Sequence, residues 1–237
     1  MSEFVSCIIT HNRPDKLAST LQGLCSQNEL PTAIIILDNG TTVRSVDGLL
    51  SKQWISWAAS EGIDVVVRYS EPLGMANARH ECEKLAHTLY PKANLHACDD
   101  DQGFMPNFVK DMKAALETYD VSGSRIANPI TKEVLGTINE FKRITPRIFH
   151  GGTICYRPWL VGLYDTVRTI TPDIGEDNIW FRLAHAKRAR FMPGSKLTNC
   201  HCHLDENYYI GKYQDGAVQM SLKNLDLELP DLSLLKE

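Results

Sequence analysis

Short apolar runs alternate with helical periodicity through the first hundred residues. This alternation sharply restricts the folds open to the chain. The runs at 4–10, 33–37, 65–67 and 95–98 read as buried strands, and Asp38-Asn39-Gly40 stops the second of them. Asn12 is expected to cap a helix from Arg13 or Pro14 to about Leu24, with Pro14 in its first turn. Helical character is also expected over much of 46–60. It continues over Met75–Leu89, where Met75, Ala78, Cys82, Leu85, Ala86 and Leu89 share one face. Pro106 opens a further helix with Phe108, Val109, Met112, Ala115 and Leu116 inward. Strand–helix alternation of this kind implies an α/β fold, a mostly parallel sheet covered by helices on both sides. Ligands then bind at the carboxyl ends of the strands.

The second half is less regular. Residues 148–156 read as a strand entered through Gly151-Gly152, and 190–192 as a short edge strand before Pro193. Gly175-Glu176-Asp177-Asn178 begins a helix with Ile179, Trp180, Leu183 and Ala184 inward. From Leu225 onward the tail is acidic with spaced leucines, suited to packing on the domain or on a partner.

The chain is 43% hydrophobic and 23% charged, ordinary for a globular protein, and its formal net charge of −4 argues against a general grip on nucleic acid. Lys187-Arg188 with Arg190, and Lys142-Arg143 with Arg147, read as solvated basic faces. The first residues lack the pattern of a signal peptide, and no apolar run approaches the ~20 residues that span a bilayer. The seven cysteines, without paired motif spacing, point to a reducing, cytoplasmic setting. Cys200-His201-Cys202-His203 is too tightly spaced for a usual zinc site, and its period-two alternation also fits a strand.

The sharpest chemical signal is Cys98-Asp99-Asp100-Asp101. Three adjacent carboxylates repel one another and are poor strand residues, so a strand that ends in them is suited to hold a cation against a phosphorylated substrate. A solvated acidic turn is the bland alternative. The other strand ends, Thr10-His11-Asn12-Arg13 and Asp38-Asn39, fall on the same sheet edge, which favours a site. Glu176-Asp177 opens a helix, where the dipole favours ionised carboxylates. These acids suit a general base, and they also suit ordinary capping.

The ordered set Thr10-His11-Asn12-Arg13-Pro14, Ile36-Leu37-Asp38-Asn39-Gly40, Gly74-Met75-Ala76-Asn77-Ala78-Arg79, Asp99-Asp100-Asp101 and Gly175-Glu176-Asp177 resembles a family-2 glycosyltransferase of the GT-A fold, over roughly residues 4–205. The resemblance implies a single Rossmann-like domain over 1–237, with a small mixed sheet in the acceptor half. Residues 1–105 would form the nucleotide-sugar half, 106–215 the acceptor and catalytic half, and 216–237 a tail. It places Thr10, Asn12, Arg13, Asp38, Arg79 and Asp99 on the nucleotide sugar, with a UDP-sugar as first choice. Asp99 and Asp101, with His203 or His201, would hold Mn²⁺ or Mg²⁺, and hard oxygen ligands suit such ions. Asp100 is expected to point elsewhere if the segment is extended. Asp177 takes the role of general base, and Glu176 that of an acceptor-hydroxyl ligand.

His11 and His80 stand where many relatives carry an aromatic and an Asn. The Gln-x-x-Arg-Trp element of processive synthases is absent. The reaction implied is the inverting, non-processive transfer of one hexose or pentose. The acceptor stays open among a glycan, a lipid-linked sugar, a protein and, against the charge balance, a modified nucleic acid. Tyr156, Trp159 and Trp180 are aromatic candidates for stacking on a sugar, or core residues. Two other readings stand beside this one: a nucleotidylyltransferase on a GT-A-like fold, and a non-catalytic nucleotide-sugar-binding subunit. A glycoside hydrolase also uses two carboxylates but leaves the strand-end motifs without a purpose.

Overall fold

The computed structural model describes residues 2–123, 125–127, 134–135, 153–171, 176–192 and 200–203. Its strands are β1 (Phe4–Thr10), β2 (Ala33–Asp38), β3 (Asp64–Tyr69), β4 (Asn94–Asp99), β5 (Gln102–Phe104), β6 (Val121–Gly123), β7 (Arg125–Ala127), β8 (Val134–Leu135), β9 (Thr153–Tyr156) and β10 (Cys200–His203). The helices are α1 (Pro14–Cys25), α2 (Leu49–Ser60), α3 (Met75–Leu89), α4 (Phe108–Thr118), α5 (Leu163–Ile170) and α6 (Glu176–Ala186).

A six-stranded sheet runs in the order β3-β2-β1-β4-β9-β6. β3, β2, β1 and β4 are mutually parallel, and β9 is antiparallel to both β4 and β6. β1, β2 and β4 are buried on both faces, which is why they read as continuous apolar runs. Alternate residues feed two layers. Val5, Cys7, Ile9, Ile35, Leu37, Leu95 and Ala97 pack with α3, α5 and α6. Ile8, Ile34, Ile36 and Cys98 pack with α1 and α2. α4 closes the second face around Phe4 and Cys155. The second sheet, β5-β10-β7-β8, begins immediately after the acidic triplet. This is the α/β, mostly parallel architecture expected, with a small mixed sheet beside it.

Several boundaries depart from expectation. Asn12 does not cap α1: Arg13 occupies that position without a side-chain cap, and Asn12 adopts a left-handed backbone at φ 56°. The second helix starts only at Leu49, after a 3-10 turn at Ser45–Asp47. Gly48 separates the two, and a Cβ there would come within 2.6 Å of Pro14 Cβ, so α1 and α2 approach closely at that point. On α3, Met75 and Leu89 are exposed, while Arg79 and Glu83 are buried. The inward face is rotated because both charged side chains have partners inside. β5, β6, β7, β8 and α5 were not foreseen. Residues 148–152 and the tail from 216 lie outside the described residues.

Candidate active site

Register brings the polar strand ends to one edge. Thr10 of β1 pairs with Asp38 of β2, and Ile9 pairs with Asp99 of β4. The strand character of β4 ends at Asp99, and Asp100-Asp101 form a turn before β5. Alternation therefore does not govern the triplet: Asp99 turns to Arg79, while Asp100 and Asp101 share Arg13.

Asp99 is ion-paired with the Arg79 guanidinium. Arg79 Nη1 also donates to the Cys98 carbonyl at 2.9 Å. Burial opposes the Arg79 charge, but Asp99, Tyr164 and Glu176 outweigh it and hold the group protonated more firmly than usual. Asp100 is fully buried. Thr10 Oγ1 donates to its Oδ2 at 2.6 Å and Arg13 Nε at 3.2 Å, while Arg13 Nη2 pairs with Oδ1. Desolvation nevertheless pushes the Asp100 carboxyl up to about 7, against the pull of Arg13 and Thr10. Asp101 lies 3.5 Å from Arg13 Nη1, and its Oδ1 accepts from Gln102 Nε2 at 2.9 Å. Gln102 Oε1 accepts from Thr153 Oγ1 and its backbone N–H donates to Thr20 Oγ1, so the turn is anchored on both sides.

Glu176 and Asp177 form the first turn of α6. Burial raises the Glu176 carboxyl to about 7, with the neighbouring Asp177 charge adding to the effect, Arg79 opposing it and Asp99 reinforcing it. Residues from α3, β4 and α6 therefore share one electrostatic site. Tyr164 belongs to the same group. Its hydroxyl is buried without a hydrogen-bond partner among the described residues, and it feels Arg79, Glu176, Glu83 and Asp177.

Two expected nucleotide ligands are committed to loop structure. Asp38 is fully buried; its Oδ1 accepts from Gly40 N–H at 2.9 Å and its Oδ2 from Val46 N–H at 3.0 Å. Asn12 Oδ1 accepts from the backbone N–H groups of Thr41, Thr42 and Val43 at 2.8, 3.1 and 3.2 Å. Its Nδ2 donates to Thr41 Oγ1 and to His11 Nε2. That bond fixes the His11 tautomer: Nε2 accepts, and Nδ1 carries the proton donated to the Asn39 carbonyl at 2.8 Å. Gly40 sits inside this clasp, where a Cβ would lie 2.4 Å from the Val43 carbonyl oxygen.

The sequence model of the group described as glycosyl transferase family 2 matches residues 6–166. The chain belongs to that family. Among solved structures, residues 1–349 of S. aureus TarS superpose at a TM-score of 0.62 with 18% identity, covering 95% of this chain and 67% of that one. The mannosyltransferase PcManGT of Pyrobaculum calidifontis, with GDP-Man and Mn²⁺, gives 0.59 and 16%, covering 87% and 58%. GalNAc-T7 with UDP, GalNAc and Mn²⁺ gives 0.57 and 14%, covering 86% and 44%. The chain thus spans only part of these proteins, and the likeness establishes the GT-A fold. No curated protein matches the sequence.

In this family-2 glycosyltransferase, no three His, Cys, Asp or Glu side chains converge into a ready-made metal cage among the described residues. Hard divalent ions are commonly held by only one or two carboxylates plus substrate phosphates, and Asp99 and Asp101 are two carboxylates at the end of one strand. β10 runs antiparallel to β5, with His203 opposite Gln102 and His201 opposite Phe104. The backbone of His203 thus lies beside the acidic turn, and His201 is two positions further along.

Of the aromatic candidates, Tyr156 and Trp180 are fully buried and pack on each other. Trp159 is exposed, but it lines a shallow cavity of about 380 Å³ with Ser2 and Asn94. Those residues mark the opposite edge of the sheet. Sequence reasoning missed Tyr164 and the anchoring role of Asp100. Tyr164 gives no signal, because its position depends on a short helix that periodicity does not reveal.

Proposed function

We propose that this protein is a metal-dependent, non-processive glycosyltransferase that moves one sugar from a nucleoside-diphosphate sugar to an acceptor hydroxyl with inversion. The supporting observation is the meeting of Asp99–Arg79 with Glu176–Asp177 at the carboxyl edge of the parallel sheet, where Glu176 is coupled to both Asp99 and Arg79. Asp177 accepts the proton of the acceptor hydroxyl as its oxygen bonds to the anomeric carbon. The bond from that carbon to the diphosphate oxygen breaks on the opposite face, and its electron pair leaves with the nucleoside diphosphate. Glu176, beside Asp177 in the first turn of α6, binds a second acceptor hydroxyl. Arg13, with 43% of its side chain exposed beside the triplet, faces the diphosphate.

Asp99 and Asp101 are the proposed metal ligands, with His203 preferred over His201 because its backbone adjoins the acidic turn. Mn²⁺ or Mg²⁺, when bound there, neutralises charge that builds on the leaving diphosphate. Solved neighbours with UDP, UDP-GlcNAc, GDP-Man and Mn²⁺ support a nucleotide-sugar donor and a divalent ion. A UDP-sugar is the first choice. Asp38 and Asn12 act on the donor through the loop they shape.

The described cysteines Cys7, Cys25, Cys82, Cys98 and Cys155 are free and buried, which supports a reducing, cytoplasmic setting. No helix of the described residues is long and apolar enough to cross a membrane.

The test is nucleoside-diphosphate release from a panel of UDP- and GDP-sugars with Mn²⁺ or EDTA. EDTA should abolish turnover, and Asp177→Asn should lower kcat by about 10²–10⁴-fold. Asp101→Asn should raise the Mn²⁺ requirement. Full turnover by Asp177→Asn removes its role as base, and pyrophosphate release from a nucleoside triphosphate replaces this reading with nucleotidyl transfer.

A further inference from the structure

Glu83 is a carboxylate inside the main core, 2% exposed, on α3, a helix that packs against α5, and it reaches Tyr156 of β9. None of the roles assigned above uses it. Its Oε2 accepts from the Tyr156 hydroxyl at 3.1 Å, and its Oε1 accepts from the backbone N–H of Gly162. Gly162 is the residue from which α5 starts, at φ 91°. A helix N-terminus favours a negative group, and here the group comes from another element. Burying a carboxylate among apolar residues is costly, so a close pair of donors has to justify its place.

Both ends of this contact lead to the site. One turn before Glu83 on α3 stands Arg79, paired with Asp99 and the Cys98 carbonyl at the end of β4. Two residues after Gly162 stands Tyr164, whose hydroxyl lies within the fields of Arg79, Glu176 and Asp177. α5 packs directly on α6, the helix that opens with Glu176 and Asp177. α3 therefore carries two buried charges at i and i+4. Arg79 ties the helix to the triplet side, and Glu83 ties it to the helix pair that carries the proposed base.

We propose that Glu83 is a positioning residue that fixes α5 and α6 against α3 and so sets the placement of Glu176 and Asp177 relative to Asp99. It touches neither donor nor acceptor. The inference rests on the proposed glycosyl transfer and goes beyond it, because it names a residue outside the strand-end motifs on which the reaction depends. Gln at this position keeps an oxygen for Gly162, while its amide lets the Tyr156 hydroxyl turn and accept. Leu keeps similar bulk but offers neither contact.

The experiment compares wild type, Glu83→Gln, Glu83→Leu and Tyr156→Phe. Equilibrium titration with UDP and GDP in the presence of Mn²⁺ reads the donor side. The kcat for nucleoside-diphosphate release from the preferred nucleotide sugar reads alignment of the base. Nucleotide Kd should stay within about twofold in all variants. The kcat should fall about tenfold or more in Glu83→Leu and less in Tyr156→Phe, and should recover to within about threefold of wild type in Glu83→Gln. Wild-type kcat in folded Glu83→Leu overturns the inference. So does a parallel loss of nucleotide affinity and kcat, or a Gln variant as impaired as Leu. If Glu83→Leu does not fold, Tyr156→Phe and Glu83→Gln carry the same decision: equal kcat in wild type and Tyr156→Phe, or a severe loss in Gln, overturns it. Absence of turnover by wild type across the donor panel overturns glycosyl transfer itself and the inference with it, an outcome distinct from those in which wild type is active.

Discussion

Arg79 is 3% exposed and stands between two acceptors, the Asp99 carboxylate and the Cys98 carbonyl. Its removal leaves Asp99, which lies in the field of Glu176, without its ion-pair partner. Breaking a buried pair on one side costs about 3–5 kcal/mol, and the low end applies because Asp99 keeps 21% exposure. Arg79→Met should therefore lower the unfolding free energy by about 3 kcal/mol, measured by urea denaturation. A loss below about 1 kcal/mol would show that solvent, rather than Arg79, carries the Asp99 charge.

The importance of Arg79 was legible from its place in a motif series. Asp38 and Asn12 were harder. An Asp before Asn-Gly serves equally as a ligand or as a turn acceptor, and only coordinates show both its oxygens bound to backbone N–H groups. Glu83 was not legible at all, since its partners lie 73 and 79 residues away.

At the scale of elements, the parallel strands announced themselves because burial on both faces removes polar residues from β1, β2 and β4. β6 and β7 span three residues each and β8 two, too short for any period to register. α5 has eight residues, and its inward set Leu163, Tyr164 and Val167 covers a single turn. The loop after β2 shows how an element can be held without regular structure. Asn12 gathers three of its amides and Asp38 two more backbone donors, with Gly40 between them. A methyl at Gly40 would sit 2.4 Å from the Val43 carbonyl and 2.9 Å from Asn12 Oδ1, so backbone has to move. Gly40→Ala should cost about 1–3 kcal/mol in stability, as overpacking does. It should also weaken nucleotide binding, because the loop borders Arg13 and the strand ends. Urea denaturation with UDP titration checks both, and unchanged affinity would detach this loop from the donor site.

For the molecule as a whole, the fold gathers carboxyls whose ionisation burial opposes: Glu83, Asp100 and Glu176 are each raised to about 7. Asp100 and Glu176 adjoin the proposed metal and acceptor positions, so Glu83 gives the cleaner measure. Desolvation raises it from 4.5, against the Gly162 and Tyr156 bonds. The side chains facing it from other elements are Cys7, Tyr156 and Tyr164, all pushed well above their ordinary values and neutral near pH 7.

A carboxyl whose folded-state pKa is raised binds its proton more tightly in the folded chain than in the unfolded one. Its contribution to stability is present below about pH 4.5 and is lost as pH rises through about 7. The full penalty is on the order of 3 kcal/mol. Glu83→Gln removes the titration while retaining one acceptor and the bulk. The thermal midpoint of the variant relative to wild type should therefore climb between pH 5 and pH 8. Melting curves of both proteins in EDTA at pH 5, 6, 7 and 8 read this directly. A difference independent of pH would mean that Glu83 titrates alike in both states, its donors fully offsetting the burial of its charge.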